Sequence, residues 1–357
     1  MTRTALIILG IAAVLTVFAV VVAACGSTTT TTTAAPASSS TETTAASTTT
    51  SAAASTGPQP GKMYHIGITQ IVTHPALDAC VQGFIDALTK AGYVEGKNVT
   101  YDKQNAQGDM ANATTIAQKF VGDKDDLIFS VATPTSQAAA KATSTIPIVF
   151  GAVTDPVAAG LLKNPDAPEG NITGASDLFP VQPHLDLIKA LVPTVKTIGL
   201  LYDAGQTNSV VLVEQEKTAI TNMGLKFVEA TAAKSADVLA AAQSLVGRVD
   251  AISVLQDNTV VSAFESVVKV CNDNKIPLIA GDIDSVKRGA AAGYGFDYHD
   301  NGLQAGELAV KVLGGTPIAQ LPVQFAKNLQ LAINNAAAAA QGVTIPDDLK
   351  AKANTTF

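Results

Sequence analysis

Two polar segments of this 357-residue chain have the make-up of a small-molecule site, Thr133-Pro134-Thr135-Ser136 and Asp257-Asn258-Thr259. Each follows a short apolar run, Leu127 to Ala132 and Ala251 to Gln256, and so falls beyond the carboxyl end of a strand. Parallel sheets hold ligands there, where the N–H groups of a helix start point outward. A second matched pair, Thr154 with Asp155 and Asp282 with Asp284, ends the next run in each half. A carboxylate such as Asp282 can pair with an ammonium, and the N–H groups and hydroxyls after Ala132 can hold a carboxylate. An amino acid needs both anchors. Gln70 and His74, after the first strand, and Asn208 and Ser209, after the strand ending at Tyr202, complete the rim. Such Ser, Thr, Asp and Asn side chains are also good helix N-caps, each stabilising its helix by about 1 kcal/mol with no ligand present, so capping and binding both stand as readings. Asp282→Ala is expected to abolish binding of an amino-bearing ligand without unfolding the protein, on the view that a cleft carboxylate is exposed.

Signals for catalysis are poor. His65, His74, His184 and His299 lack metal-ligand spacing, and no Gly-x-Ser-x-Gly, Walker loop or paired-Cys motif occurs. Gly293-Tyr294-Gly295 lacks the third glycine of a dinucleotide loop and reads as a bend in a strand. The expectation is a binding protein with no catalytic residues, cofactor or metal.

The elements that must position these residues follow from periodicity. Ile66 to Ile71 reads as a strand and Pro75 to Ala91 as a helix with Leu77, Val81, Phe84 and Leu88 on one face. Val99 to Asp102 is the next strand and Met110 to Val121 the next helix; Leu127 to Ala132, Pro147 to Val153 and Asn171 to Ser176 follow as strands. Alternation of this kind implies parallel sheets covered on both faces by helices. The pattern then repeats: Ile66, Asp126 and Ile146 open segments echoed at Ile198, Asp250 and Ile276, offsets of 132, 124 and 130 residues. The fold class is α/β, two doubly wound parallel-sheet lobes, with 62–176 plus 289–316 in one and 177–288 plus 317–357 in the other. Crossings near Ser176, Arg288 and Pro317 make a hinge that permits rigid-body closure.

The amino-terminal part has a different character. Arg3 precedes an uncharged apolar run from Ala5 to Ala24, and small residues lead to Cys25. A positive start, an apolar stretch and small residues before a cut site are what an export signal needs. Val22-Ala23-Ala24-Cys25 resembles the bacterial lipobox, in which the Cys thiol is acylated; the alternative is a plain transmembrane anchor, which needs about 20 apolar residues. Either places the remainder outside the cytoplasm. Residues 25–61 then form a lipidated Cys and a Thr/Ser/Ala tether with nothing large to bury. Removing Arg3 with the signal takes the 23 basic residues to 22 against 30 acidic, a formal charge of −8, and no basic stripe remains to track nucleic acid. Hydrophobic content of 47% with 15% charge lets the rest bury real cores. Cys80 and Cys271 fall at helical-period apolar positions and read as small buried hydrophobes.

Gly67-Ile-Thr-Gln-Ile-Val-Thr-His-Pro-Ala-Leu-Asp78, Gly92-Tyr-Val-Glu-Gly-Lys-Asn-Val99, Gln104-Asn-Ala-Gln-Gly-Asp109, Ala132-Thr-Pro134, Ala152-Val-Thr-Asp-Pro156, Asp257-Asn-Thr-Val260 and Asp282-Ile-Asp-Ser-Val286 together resemble the solute-binding lipoproteins of ABC transporters of the tryptophan/tyrosine-binding type, from about Tyr64 to Pro346. The resemblance implies a type I periplasmic-binding-protein fold. It also implies closure of a monomer on a small ligand, an aromatic or other amino acid, and delivery to an ABC permease with its own ATPase, the protein being lipid-anchored at the outer face of a bacterial cell membrane. The alternatives are a ligand-sensing lipoprotein for a signalling partner and an extracellular enzyme. Asp203 and Ala204 stand where that family more often shows Asn-Pro, and Leu255-Gln256 where it shows Pro-Thr. Both loops border the cleft and bear on ligand identity, and without Trp any aromatic wall must come from Phe or Tyr.

Overall fold

The computed structural model of the protein describes Gly57–Phe357; the expected signal at 1–24, Cys25 and most of the tether lie outside the described residues. The first sheet takes its strands from β1 (Tyr64–Gln70), β2 (Val99–Asn105), β3 (Leu127–Val131), β4 (Ile148–Val153) and β5 (Ile172–Ser176). Between them run α1 (Pro75–Lys90), α2 (Met110–Asp123) and α3 (Thr133–Ala142). Every residue of β3, β4 and β5 is buried, as parallel strands must be when helices cover both faces. That is why β3 and β4 are largely apolar without alternation.

After α4 (Val181–Leu191) the second sheet collects β6 (Thr197–Tyr202), β7 (Lys226–Thr231), β8 (Ala251–Val254), β9 (Leu278–Ala280) and β10 (Ala292–Gly295). Its intervening helices are α5 (Thr207–Asn222), α6 (Val238–Ser244), α7 (Asn258–Ser262), α8 (Phe264–Asn274) and α9 (Ile283–Lys287). There follow α10 (Tyr298–Leu313), β11 (Gln324–Phe325), β12 (Gln330–Ile333), α11 (Asn335–Ala340), α12 (Asp347–Lys352) and β13 (Thr355–Thr356). The sheet orders are β11-β5-β4-β3-β1-β2 and β13-β12-β10-β9-β8-β6-β7. Within them β5-β4-β3-β1-β2 and β10-β9-β8-β6-β7 have the same winding, so the internal repeat is a repeat of topology.

The chain passes between the sheets three times. The first passage, after β5, falls at Asp177 beside the expected Ser176. The second differs from the boundary expected near Arg288, which assigns Gly289 onward to the first lobe. Hydrogen bonds place β10 in the second sheet, parallel to β9 and antiparallel to β12, and the crossing comes after it. The reason is the repeat itself: β10 is the counterpart of β5, the fifth strand of its lobe. The third passage comes after β11, which pairs with β5 through Gln324 and Phe325, rather than near Pro317. β11 and β12, close in sequence, thereby belong to different lobes.

α10 returns to the first lobe and lies along α1 at backbone contact. A Cβ built on Gly83 would fall 2.0 Å from the His299 carbonyl oxygen, and one on Gly302 2.0 Å from that of Cys80. Phe84 of α1 stacks on Phe129 of β3 with ring centroids 3.8 Å apart. Cys80 and Cys271 are free and buried, and burial pushes the Cys271 thiol up to about 12; both behave as the apolar residues their spacing indicates. Among the described residues no helix is long and apolar enough to cross a membrane.

Candidate functional site

The carboxyl ends of both sheets and two of the crossing segments meet around a cavity. The first lobe supplies His74 from the β1–α1 turn, Ala76 and Leu77 from α1, and Ala152 and Thr154 from the end of β4. The second supplies Asn208 from α5, Gln256, Asp257 and Asn258 after β8, Val261, and Asp282 after β9. Asp177 and Tyr298 come from the first and second crossings. The cavity is thus walled by both lobes and by the segments between them.

Several backbone and side-chain features hold this wall. Ala152 has φ 54 and Ala132 φ 81, left-handed conformations that non-glycine residues adopt only when their surroundings over-determine them. For Ala152 the surroundings are known: its N–H donates to Asn301 Oδ1 at 2.9 Å, while Asn301 Nδ2 donates to the Ser176 carbonyl at 3.3 Å. One buried amide on α10 therefore ties together the ends of β4 and β5. The Tyr298 hydroxyl donates to Asp177 Oδ2 at 2.6 Å, joining the two crossing segments.

Asp257 accepts from the Asp203 N–H at 2.6 Å, the Ser209 hydroxyl at 2.6 Å and the Val260 N–H at 2.7 Å. Asp203 in turn accepts from Thr259 Oγ1 at 2.7 Å and Gln206 Nε2 at 3.0 Å, and Gln206 Oε1 accepts from Asn258 Nδ2 at 2.7 Å. The loop in which Asp203 stands is thus the brace behind Asp257 and Asn258.

Burial raises the carboxyl pKa of Asp177, Asp257 and Asp282, in each case as the largest cause. No lysine or arginine lines the cavity. Arg288, nearby, is engaged by Glu265 through Nε and Nη2 at 2.8 Å each and by the Val261 carbonyl through Nη1 at 2.8 Å. Burial also pushes His74 down to about 3, so its imidazole is neutral. Four lining atoms are buried with no hydrogen-bond partner: Asp177 Oδ1, Asn208 Oδ1, Gln256 Oε1 and His74 Nδ1. Two of these, Asn208 Oδ1 and Gln256 Oε1, are amide oxygens that can only accept. A buried acceptor left unmade costs about 1–3 kcal/mol, so the cavity is built to receive donors, and its carboxyls favour a cationic one.

Of the residues singled out in the sequence, His74, Thr154, Asn208, Asp257, Asn258 and Asp282 line this cavity. Ser209 stands one layer behind, on Asp257. Gln70 is turned to the β1–α1 segment, donating to the Val72 carbonyl at 2.8 Å and Asp78 Oδ1 at 2.6 Å. Thr135 bonds the Val131 carbonyl at 2.6 Å, and Ser136 the Ala132 carbonyl at 2.9 Å. Asp155 caps the N–H groups of Val157 and Ala158, both at 2.9 Å. Asp284 adjoins Asp282 without lining the cavity, and burial raises its pKa too. Thr133 is buried at the start of α3 with an unpartnered hydroxyl.

Asp282 is 4% exposed and accepts from the Ser285 N–H at 2.7 Å. The expectation of an exposed carboxylate is corrected: Asp282→Ala removes a helix cap as well, at a cost of about 1 kcal/mol. Capping and cavity-lining coincide in Asp257 and Asp282, since each caps its helix with one oxygen while facing the cleft. Asp177 and Tyr298 were not among the residues singled out in the sequence, and Gln256 only as part of a loop bordering the cleft; the signal for Asp177 and Tyr298 was their place after β5 and β10. Among the described residues no group of three or more His, Cys, Asp and Glu could hold a metal ion.

The family model described as "ABC transporter substrate binding protein" matches residues 65–357. A tyrosine-binding protein of Clostridioides difficile is 44% identical over 273 residues, 76% of this chain and 79% of the relative. An ABC domain from Streptococcus pneumoniae in complex with L-Trp is similar, with TM-score 0.80 and 35% identity over 83% of this chain and all of that one. A ligand-free, open substrate-binding protein from Clostridium difficile gives TM-score 0.62 at 41% identity, over 82% of this chain and 99% of that one. The chain is closer in sequence to the open structure and closer in shape to the ligand-bound one.

Proposed function

The chain belongs to the ABC transporter substrate-binding protein family and is the ligand-capturing component of such a transporter, and on that premise we propose that its ligand is an amino acid held between the lobes. The observation that carries this is the set of acceptors without partners beside Asp177, Asp257 and Asp282, in a cavity lined by no cationic side chain. An α-ammonium supplies three donors and a charge to that cluster. A ligand carboxylate would be complemented by helix N–H groups free of intrahelical partners, as at the start of α3, whose Thr133 hydroxyl is buried without a partner though it does not line the cavity. The names of the relatives, one tyrosine-binding and one holding L-Trp, support an aromatic amino acid.

Proteins of this family work outside the cytoplasm, which agrees with the export signal read at Arg3 to Ala24. Anchoring through a lipid on Cys25 would keep a monomer within reach of a permease and its ATPase along the tether of residues 26–61.

In a thermal-unfolding screen of amino acids, sugars and nucleosides, L-tyrosine or L-tryptophan is expected to raise Tm by an amount that grows with the logarithm of ligand concentration. Uptake of the same amino acid should fall in a strain lacking the protein. Absence of any amino-acid shift from a folded, ligand-free sample would remove this reading, and a shift with unchanged uptake would point to a sensor.

A further inference from the structure

α3 of the first lobe touches α5 of the second, and a side chain reaches across between them. Gln137, in the second turn of α3, is held by its own lobe: its Nε2 donates to the Ala159 carbonyl at 3.0 Å, in the turn after β4. The same nitrogen donates at 3.4 Å to Oγ1 of Thr207, the first residue of α5. An amide nitrogen carries two N–H groups, so one serves the first lobe and leaves the other for the second. Neither Gln137 nor Thr207 lines the interlobe cavity, but Thr207 directly precedes Asn208, which does. Both partners are half-buried.

We propose that Gln137 and Thr207 form a latch between the lobes, a hydrogen bond made when the cleft is shut and exchanged for water when it opens. The latch concerns closure and does not depend on which ligand the cavity takes. Rotation about the crossing segments moves α3 and α5 as parts of different bodies, and so parts the pair. Half-burial suits a reversible contact. Water reaches either partner once the lobes separate, so no buried group is left unmade. The net gain of such an exchange is small, a factor of about three to ten in the ratio of shut to open lobes. Gln137 is then a positioning residue: it lies outside the cavity and acts by holding the first turn of α5, with Asn208, against the first lobe.

The test is amide hydrogen exchange of the full chain without ligand, on the wild type, Gln137→Ala, Thr207→Val and the double variant. Each single change is read on the lobe to which it does not belong. In Gln137→Ala the first turn of α5, residues 207–210, is expected to exchange about threefold to tenfold faster, and in Thr207→Val the turn of residues 155–160 should do the same. A substitution that only loosened its own lobe would leave the other unmoved. The double variant should exchange no faster than the faster single one, because both remove the same bond, and Thr207→Ser, which keeps the hydroxyl, should match the wild type. Unchanged exchange on the opposite lobe, or additive effects in the double variant, overturns the latch. Calorimetric titration with L-tyrosine and L-tryptophan gives a second reading. Gln137→Ala is expected to weaken both by one common factor, and a change in their ratio would overturn the latch by placing Gln137 on the ligand. Binding of neither overturns the aromatic reading alone, since exchange decides the latch with no ligand present.

Discussion

Asp282→Asn should weaken binding of an amino-acid ligand by about a hundredfold or more while leaving the ligand-free protein at least as stable as the wild type. Removing one partner of a buried charge pair costs roughly 2–5 kcal/mol of binding, and Asp282 is one of three buried carboxyls around the space assigned to the ammonium. Asparagine still caps α9, because its side-chain oxygen can accept the Ser285 N–H that Asp282 now accepts at 2.7 Å. The stability half of the prediction follows from the sign of the pKa shift. Burial holds the folded-state Asp282 carboxyl above its ordinary value of 3.8, so the folded protein retains a proton that the unfolded chain has released. Ligand-free stability from this group is full below 3.8 and is lost as pH rises through the folded value. The gain of Asp282→Asn over wild type should accordingly be seen at pH 7 and vanish near pH 3.8. Calorimetric titration for affinity and thermal unfolding across pH check the two halves. A variant that loses affinity and melting temperature in proportion would assign Asp282 to structure alone.

Gly302→Ala is expected to be the most damaging single-methyl change in the first lobe. The added Cβ would fall 2.0 Å from the Cys80 carbonyl oxygen and 2.9 Å from the Phe84 nitrogen, backbone atoms of α1 that cannot rotate away. Overpacking a core costs typically 1–3 kcal/mol, and here relief requires α10 to move off α1 as a body. A loss of about 3 kcal/mol, or roughly 6–12 °C in Tm, should be accompanied by weaker binding, because α10 also carries Asn301 and Tyr298. Those two residues tie the ends of β4 and β5 to the second crossing. Thermal unfolding and titration of the same sample read both effects; unchanged Tm would mean that the two helices are not in backbone contact.

The fold was legible where a period or a repeat carried it. Near-continuous apolar runs marked β3 and β4, and three echoed segments marked the duplicated sheet, because burial on both faces leaves a compositional mark. The crossings were less legible. What decides whether Ala292–Gly295 belongs to one lobe or the other is pairing with β9 and β12, a long-range choice that no local pattern records; the place of β5 in the repeat was the available clue. β11 has two residues, too short for any periodicity.

At the site, residue type and position after a strand sufficed for Asp257, Asp282, Asn208 and His74. The same rule also drew in Thr135, Ser136 and Asp155, whose side chains are committed to local turns and caps, since a cap and a ligand contact demand the same chemistry at the same place. Asp177 and Tyr298 stand in crossing segments, whose meeting at the cavity no local pattern records, and Gln256 is oriented there with its Nε2 donating to the Gly281 carbonyl at 3.0 Å. Asp203, which departs from the Asn-Pro of the family it resembles, acts on the cavity through Asp257 and Gln206 rather than by lining it.

Comparison of an amino acid with its deaminated analogue addresses the ammonium site directly. Calorimetric titration of the wild-type protein with L-tyrosine and with 3-(4-hydroxyphenyl)propanoate, or with L-tryptophan and indole-3-propanoate, changes only the group assigned to Asp177, Asp257 and Asp282. The account predicts that each analogue binds about a hundredfold or more weaker than its amino acid, and equal affinity within a pair would contradict it.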